Sequence, residues 1–268
     1  MTQEERRLCL IHCLLEENPG YRRIAVPGDA QGQKNLLRAL MNVRPPKPIG
    51  EAFLKIQDEY LCTERDKTGV VDGDSLALLS SDRRLVLWQG DITRLKVDAI
   101  VNAANSGLRG CFCALHSCID NIIHSRSGIQ LRLTCDEMMN RQGYSEPTGQ
   151  AKITPAYNLP CRYVLHTVGP IIFDTVTEED RRLLASCYRS CLELAAEHGL
   201  QSVAFCCIST GEFHFPNREA ARIAVAAVRD FLDSGTTVRR VIFNVFKDVD
   251  LAIYRELLGE DGGAVHSP

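Results

Sequence analysis

No apolar run in this chain approaches the roughly 18 residues that a membrane-spanning helix needs, and no membrane partner is expected. A basic excess is missing too: 31 Lys and Arg face 34 Asp and Glu, for a formal net charge of −3. Proteins that hold nucleic acid usually carry a positive bias, so no nucleic-acid partner is expected. The opening residues, MTQEERRLCLIHCLLEENPG, carry acids and lack a small-residue cleavage site. They do not read as a secretory signal. Internal repeats and low-complexity segments are also missing, which leaves no ground for a repeat architecture.

What remains is an ordinary globular balance, 45% hydrophobic and 24% charged over 268 residues. That length suits one large domain, or one domain with a substantial extension. Twelve cysteines are present. Cys206 and Cys207 are adjacent in an apolar, strand-like run, and Cys187 and Cys191 are four apart in a helical one. Such thiols behave as small buried hydrophobes, and the expected setting is a reducing, cytoplasmic one.

Residues 1–72 differ in texture from the rest of the chain. Apolar spacing predicts amphipathic helices over Thr2–Glu17, Lys34–Asn42 and Ala52–Glu64, with a stop at Asn18-Pro19-Gly20 and a rigid RPPKPIG link from Arg44. This region reads as a helical cap without a catalytic constellation. From Arg84 strands alternate with helices. The strands are expected at Leu85–Trp88, Val97–Val101, Ala151–Pro155, Tyr163–Val168, Ser202–Cys207 and Val241–Phe246. The helices are expected at Ile119 to about Asn140, Glu178–His198, Arg218–Asp233 and Leu251–Leu258. That alternation implies an α/β chain, a three-layer α/β/α sandwich around a mostly parallel sheet. The main domain is expected over 73–260, with a disordered tail from 261.

Four segments could line a ligand cleft. Asp91, in QGDIT, either accepts a hydrogen bond from an exocyclic amine or caps the following turn. The stretch VNAANSGLRGCFCALHSCIDNIIH, Val101 to His124, runs from an apolar strand through a turn-rich loop into a helix. Ser209-Thr210-Gly211-Glu212-Phe213 lies between a strand and a helix, where backbone N–H groups can face a phosphate. Phe243-Asn244-Val245-Phe246 ends a strand with a ring that could stack on a base or fill core.

Within the second segment, Cys111-x4-His116-x-Cys118 supplies two thiolates and an imidazole, a set that suits Zn²⁺. Three ligands would leave a position open; Cys113 as a fourth would make the site structural, and the cluster could also hold no metal. Asp120 and His124 are four apart on one helical face. The plain readings are a helix-start acid and a packed histidine.

Together these segments resemble the macrodomain family of ADP-ribose-binding modules, from about Trp88 to Leu258. GDIT, VDAIVNAAN, an Asp and a His four apart, HTVGP and an ISTG loop stand in the family's order. RGCFCALHSCIDNIIH replaces the usual glycines after NAAN, and QLR and EPTGQAKITPAYNLP come after it. That departure resembles the microbial zinc-dependent macrodomains, which carry a helical N-terminal extension.

The resemblance implies the macrodomain form of the sandwich, with a mixed, mostly parallel sheet. It implies hydrolytic removal of mono-ADP-ribose from modified proteins, with one zinc per chain on Cys111, His116 and Cys118 and with Cys113 outside the ligand set. It places Asp120 and Asn105 at the proximal ribose, as the catalytic pair, and leaves Asn102 and His124 structural. Asp91 and Ile92 are implied for adenine, Ser209 to Phe213 for the diphosphate and Phe246 for stacking. The partners it implies are a sirtuin-type ADP-ribosyltransferase and a lipoyl-carrier protein. The same cleft would serve a non-catalytic reader of ADP-ribose or an O-acetyl-ADP-ribose deacetylase; the metal loop and Asp120 separate the enzyme from the reader.

Overall fold

A computed structural model of the chain describes residues 1–259; the tail from 261, expected to be disordered, lies outside the described residues. The chain opens with three helices, α1 (Gln3–Glu17), α2 (Ala30–Val43) and α3 (Glu51–Thr68). Thr2 starts α1 with a reciprocal cap: its hydroxyl accepts from the Glu5 amide while the Glu5 carboxylate accepts from the Thr2 amide. Asp29 caps α2 through the Gly32 amide, so that helix begins a turn before its leucine periodicity does. Leu10, Ile11, Leu14, Leu37, Leu40, Phe53 and Tyr60 form an apolar cluster of these helices, joined by Ile129.

Beyond them lie β1 (Val71–Asp72), β2 (Leu85–Gln89), β3 (Leu95–Lys96), β4 (Ala99–Ala104), α4 (Ile119–Ser127), α5 (Ile129–Gln142), β5 (Ala151–Pro155) and β6 (Tyr163–Val168). Then come α6 (Glu178–Glu197), β7 (Ser202–Phe205), α7 (Asn217–Asp233), β8 (Arg240–Val245) and α8 (Asp248–Leu258). Six strands form one sheet in the order β2-β8-β7-β4-β6-β5. All its pairs are parallel except β5 with β6. One face packs on α6, α7 and α8 through Val101, Leu165, Tyr188, Ala224 and Tyr254. The other packs on α4 and α5 through Ile100, Val164, Ile123 and Leu131. The structure is therefore the mixed, mostly parallel three-layer sandwich, with helices at its N-terminus. Among the described residues no helix is long and apolar enough to cross a membrane.

Three departures from the sequence reading bear on the strands and helices beside the site. The helix expected from Ile119 to about Asn140 is two helices, because Gly128 sits at φ 103°, where L side chains are strained, and its amide closes α4 on His124 O. The strand expected over Val97–Val101 begins at Ala99 and runs to Ala104. Leu95–Lys96 pair separately with β1, and Asp98 bends the chain by accepting from the Gln201 and Ser202 amides. The strand over Ser202–Cys207 stops at Phe205.

Strand alternation then orients the polar residues. Ile100 of β4 faces the α4 and α5 layer, so Asn102, two residues on, faces it too. Asn102 is in register with His166 of β6, and Thr154 of β5 is in register with Val164 of the same face. Three polar groups of the sheet, Thr154, His166 and Asn102, thus line up on one face and meet Asp120 on α4.

Candidate metal centre and ligand cleft

The loop between β4 and α4 carries the Cys–His–Cys group at the carboxyl end of the central strand. Cys118 is the N-cap of α4, its sulfur accepting from the Asn121 amide at 3.4 Å. Cys111 Sγ lies 3.7 Å from His116 Nδ1, and the ligand atoms of Cys111, His116 and Cys118 all lie within 4.8 Å of one another. Zn–S and Zn–N bonds of about 2.3 Å and 2.0 Å would put two tetrahedral ligands roughly 3.5–3.8 Å apart. The donor set and its spacing fit zinc.

His116 has a neighbour at each ring nitrogen. Nδ1 accepts from the Cys118 amide at 3.4 Å, and Nε2 faces Glu212 Oε1 at 3.7 Å. Burial pushes the Cys118 thiol up to about 12, with the neighbouring Cys111 and Asp120 adding to the shift and the Asn121 amide opposing it. Cys113 is exposed and stands outside the group. Its carbonyl accepts from Asn121 Nδ2 at 2.8 Å.

Asp120 begins the first turn of α4 and is only 4% exposed. Asn102 Nδ2 donates to its Oδ1 at 2.8 Å and Asn105 Nδ2 to its Oδ2 at 3.1 Å. Burial raises its carboxyl to about 6, opposed by the Asn102 hydrogen bond and the charge of Arg132. Near neutral pH this is a carboxylate with basic character, held by two amides.

His124 is buried, and burial drives it well below the usual imidazole range, with His166 and Arg132 adding to the effect. Neither of its ring nitrogens has a hydrogen-bond partner, and a Cβ on Gly110 would come within 2.8 Å of its Cγ. His124, Cys135 and His166 form a second converging group. There His166 Nδ1 takes the Asn102 amide at 3.1 Å and Nε2 meets Thr154 Oγ1 at 2.9 Å, so both ring nitrogens are occupied. That group is packing.

Of the two readings of Asp91, the turn cap is the one present. Its Oδ1 caps the next turn through the Thr93 amide and hydroxyl, while its Oδ2 stands 3.8 Å from Arg126. Ile92 is buried. Ser209 sits at φ 64° with its hydroxyl buried and unpartnered. Gly169 lies so close that a Cβ there would collide with it. Thr210 bonds back to Cys207 O, Gly211 and Glu212 are exposed, and Phe213 is half-buried. Phe243 is core, whereas Phe246, just past β8, is 75% exposed and available for stacking. Asn105 is exposed at the loop's start, with Oδ1 accepting from Gly107.

Sequence reasoning missed Arg132, Asn121, Arg38 and Asn42. Arg132 on α5 is 5% exposed. It donates to the carbonyls of Met41, Asn42 and Arg44 at the end of α2, and to Arg109 O in the metal loop. A buried guanidinium survives only with such saturation. Only its helix was legible locally, because its partners lie far away in the chain.

The Macro domain family matches residues 101–224. A protein-ADP-ribose hydrolase of Treponema medium is 54% identical over 261 residues, covering 96% of this chain and all of its own length. One from Staphylococcus aureus is 48% identical over 239 residues, covering 89% of each chain. Among solved structures, a Trypanosoma brucei macrodomain in complex with ADP-ribose aligns with a TM-score of 0.64 at 30% identity, covering 83% of this chain and 95% of its own. With its mixed sheet and relatives alike over nearly their whole length, this chain belongs to the macro domain family.

Proposed function

We propose that this protein is a hydrolase that releases mono-ADP-ribose from modified proteins, with one zinc ion held by Cys111, His116 and Cys118. The observation that carries the reading is the convergence of that thiol–imidazole group and the buried Asp120 at the carboxyl end of β4. Relatives named protein-ADP-ribose hydrolase, alike over nearly the whole chain, support it.

Asp91 would accept from the adenine amine through Oδ2, beside Ile92, and Phe246 would stack on the base. The backbone from Ser209 to Phe213 would wrap the diphosphate, its dipoles suiting an anion in a net-acidic protein. Asn105 would reach the proximal ribose while steadying Asp120. Zinc would supply Lewis-acid polarisation beside the anomeric carbon. Asp120 would orient the attacking water and take its proton, with Asn102 and Asn105 fixing its two oxygens. Glu212 would keep the His116 proton on Nε2.

The acceptor we infer is a lipoyl-carrier protein modified by a partner sirtuin, on the resemblance carried by the RGCFCALHSCIDNIIH loop. A cytoplasmic setting belongs to the same proposal, since the metal loop requires reduced thiols. The test is incubation with a mono-ADP-ribosylated carrier, with and without chelator. Release of ADP-ribose that the chelator abolishes is expected. Binding without release would leave a reader in its place.

A further inference from the structure

The N-terminal helices look remote from the chemistry, yet α2 touches the metal loop at its most constrained points. Arg38 Nη2 donates to His116 O at 2.6 Å and to Asn121 Oδ1 at 2.8 Å. Asn121 in turn donates to Cys113 O. Four residues along α2, Asn42 Oδ1 accepts from the Leu115 amide at 3.0 Å, and its Nδ2 donates to Ser125 Oγ. Leu115 sits at φ 58°, a left-handed conformation costly for a side chain with a Cβ. Such strain persists only where the surroundings over-determine it. Arg132 closes the arrangement from below, joining the α2 carbonyls to Arg109 O.

We propose that α2 is a clamp on the metal loop: Arg38 and Asn42 are positioning residues that hold Leu115 and His116 where the His116 imidazole meets Cys111 and Cys118. The N-terminal helices are then part of the site's construction rather than a cover over it. The inference rests on the proposed zinc reading for its consequence. Its geometry stands on the loop alone.

The experiment compares the full chain with Arg38→Ala, Arg38→Lys and Asn42→Ala. Arg7→Ala, which breaks the buried Arg7–Gln33 pair between α1 and α2 away from the loop, is the control. In chelator-treated protein, amide hydrogen exchange over residues 111–118 should rise about tenfold or more in Arg38→Ala and Asn42→Ala, with β4 unchanged. Arg38→Lys, which keeps a cationic donor but loses the planar guanidinium, should fall between. Arg7→Ala should leave the loop as it is. In competition with a chromophoric chelator, zinc affinity should fall roughly 10–100-fold in the first two variants and stay put in the control, while calorimetry with free ADP-ribose shows little change. Loop exchange equal to that of the unsubstituted chain in both variants overturns the clamp, and so does faster exchange with zinc affinity intact. A chain that takes up no zinc, but whose loop loosens as described, overturns the metal reading and leaves the clamp standing.

Discussion

Asn102 donates its side-chain amide to the Asp120 carboxylate at 2.8 Å from a fully buried position on β4. The bond runs from the central strand to the first turn of α4, and the same amide reaches His166. Losing a partner of a buried charged group costs about 1–3 kcal/mol. Asn102→Ala should therefore lower the denaturation midpoint and slow hydrolysis together. Asn102→Asp, which sets a second carboxyl against Asp120, should do worse on both. Chemical denaturation beside a release assay checks this, and a stable, fully active Asn102→Asp would contradict the role given to the pair.

The proposed metal ligands and Asp120 are separable. Cys118→Ala leaves two ligands and should strip zinc, while Asp91, Ser209 and Phe246 keep measurable affinity for free ADP-ribose. Asp120→Ala should retain zinc and lose roughly 10²–10⁴-fold in hydrolysis. Elemental analysis, calorimetry and ADP-ribose release on both variants make the comparison. Full hydrolysis by zinc-free Cys118→Ala would sink the metal mechanism.

Gly169 has no room for a side chain, because its Cβ would meet the buried Ser209 hydroxyl and the Ile208 side chain. Gly169→Ala must displace the loop proposed for the diphosphate. Overpacking of this kind costs about 1–3 kcal/mol, which is roughly 5- to 150-fold in affinity when it falls on the bound state. Calorimetry should show that loss for ADP-ribose. Unchanged affinity would remove Ser209–Phe213 from the ligand site.

Burial lowers His166 from 6.5 to about 4. The folded chain thus refuses a proton that the unfolded chain accepts, so this histidine's stabilising share is complete above about 6.5 and is lost as pH falls toward about 4. Asp120, raised from 3.8 to about 6, works in the opposite direction over much of that range. Comparison with His166→Gln cancels it. Between pH 7 and pH 4.5 the stability of the native chain relative to the variant should drop by about 2 kcal/mol. A pH-independent difference in denaturant unfolding would count against it.

Most of the architecture was legible because its signals are local. Alternating apolar runs marked the strands, leucine spacing marked the helices, and Cys111, His116 and Cys118 lie close enough in sequence to display their own chemistry. Gly128 was visible as a residue, but not as a break, since the apolar rhythm continues across it and only its φ of 103° separates α4 from α5. What the chain order could not display is who supports the site. Arg38 reaches His116 across 78 positions and Arg132 reaches Met41 across 91. In sequence each is an ordinary helical arginine. Side chain and backbone carbonyl become partners only when α2 is laid against α4 and α5. The sequence by itself determined most of the elements, the family pattern and the closeness of Cys111, His116 and Cys118. The packing of helices decided that the N-terminal segment holds the metal loop, because a buried guanidinium must find carbonyls and these lie on elements distant in the chain.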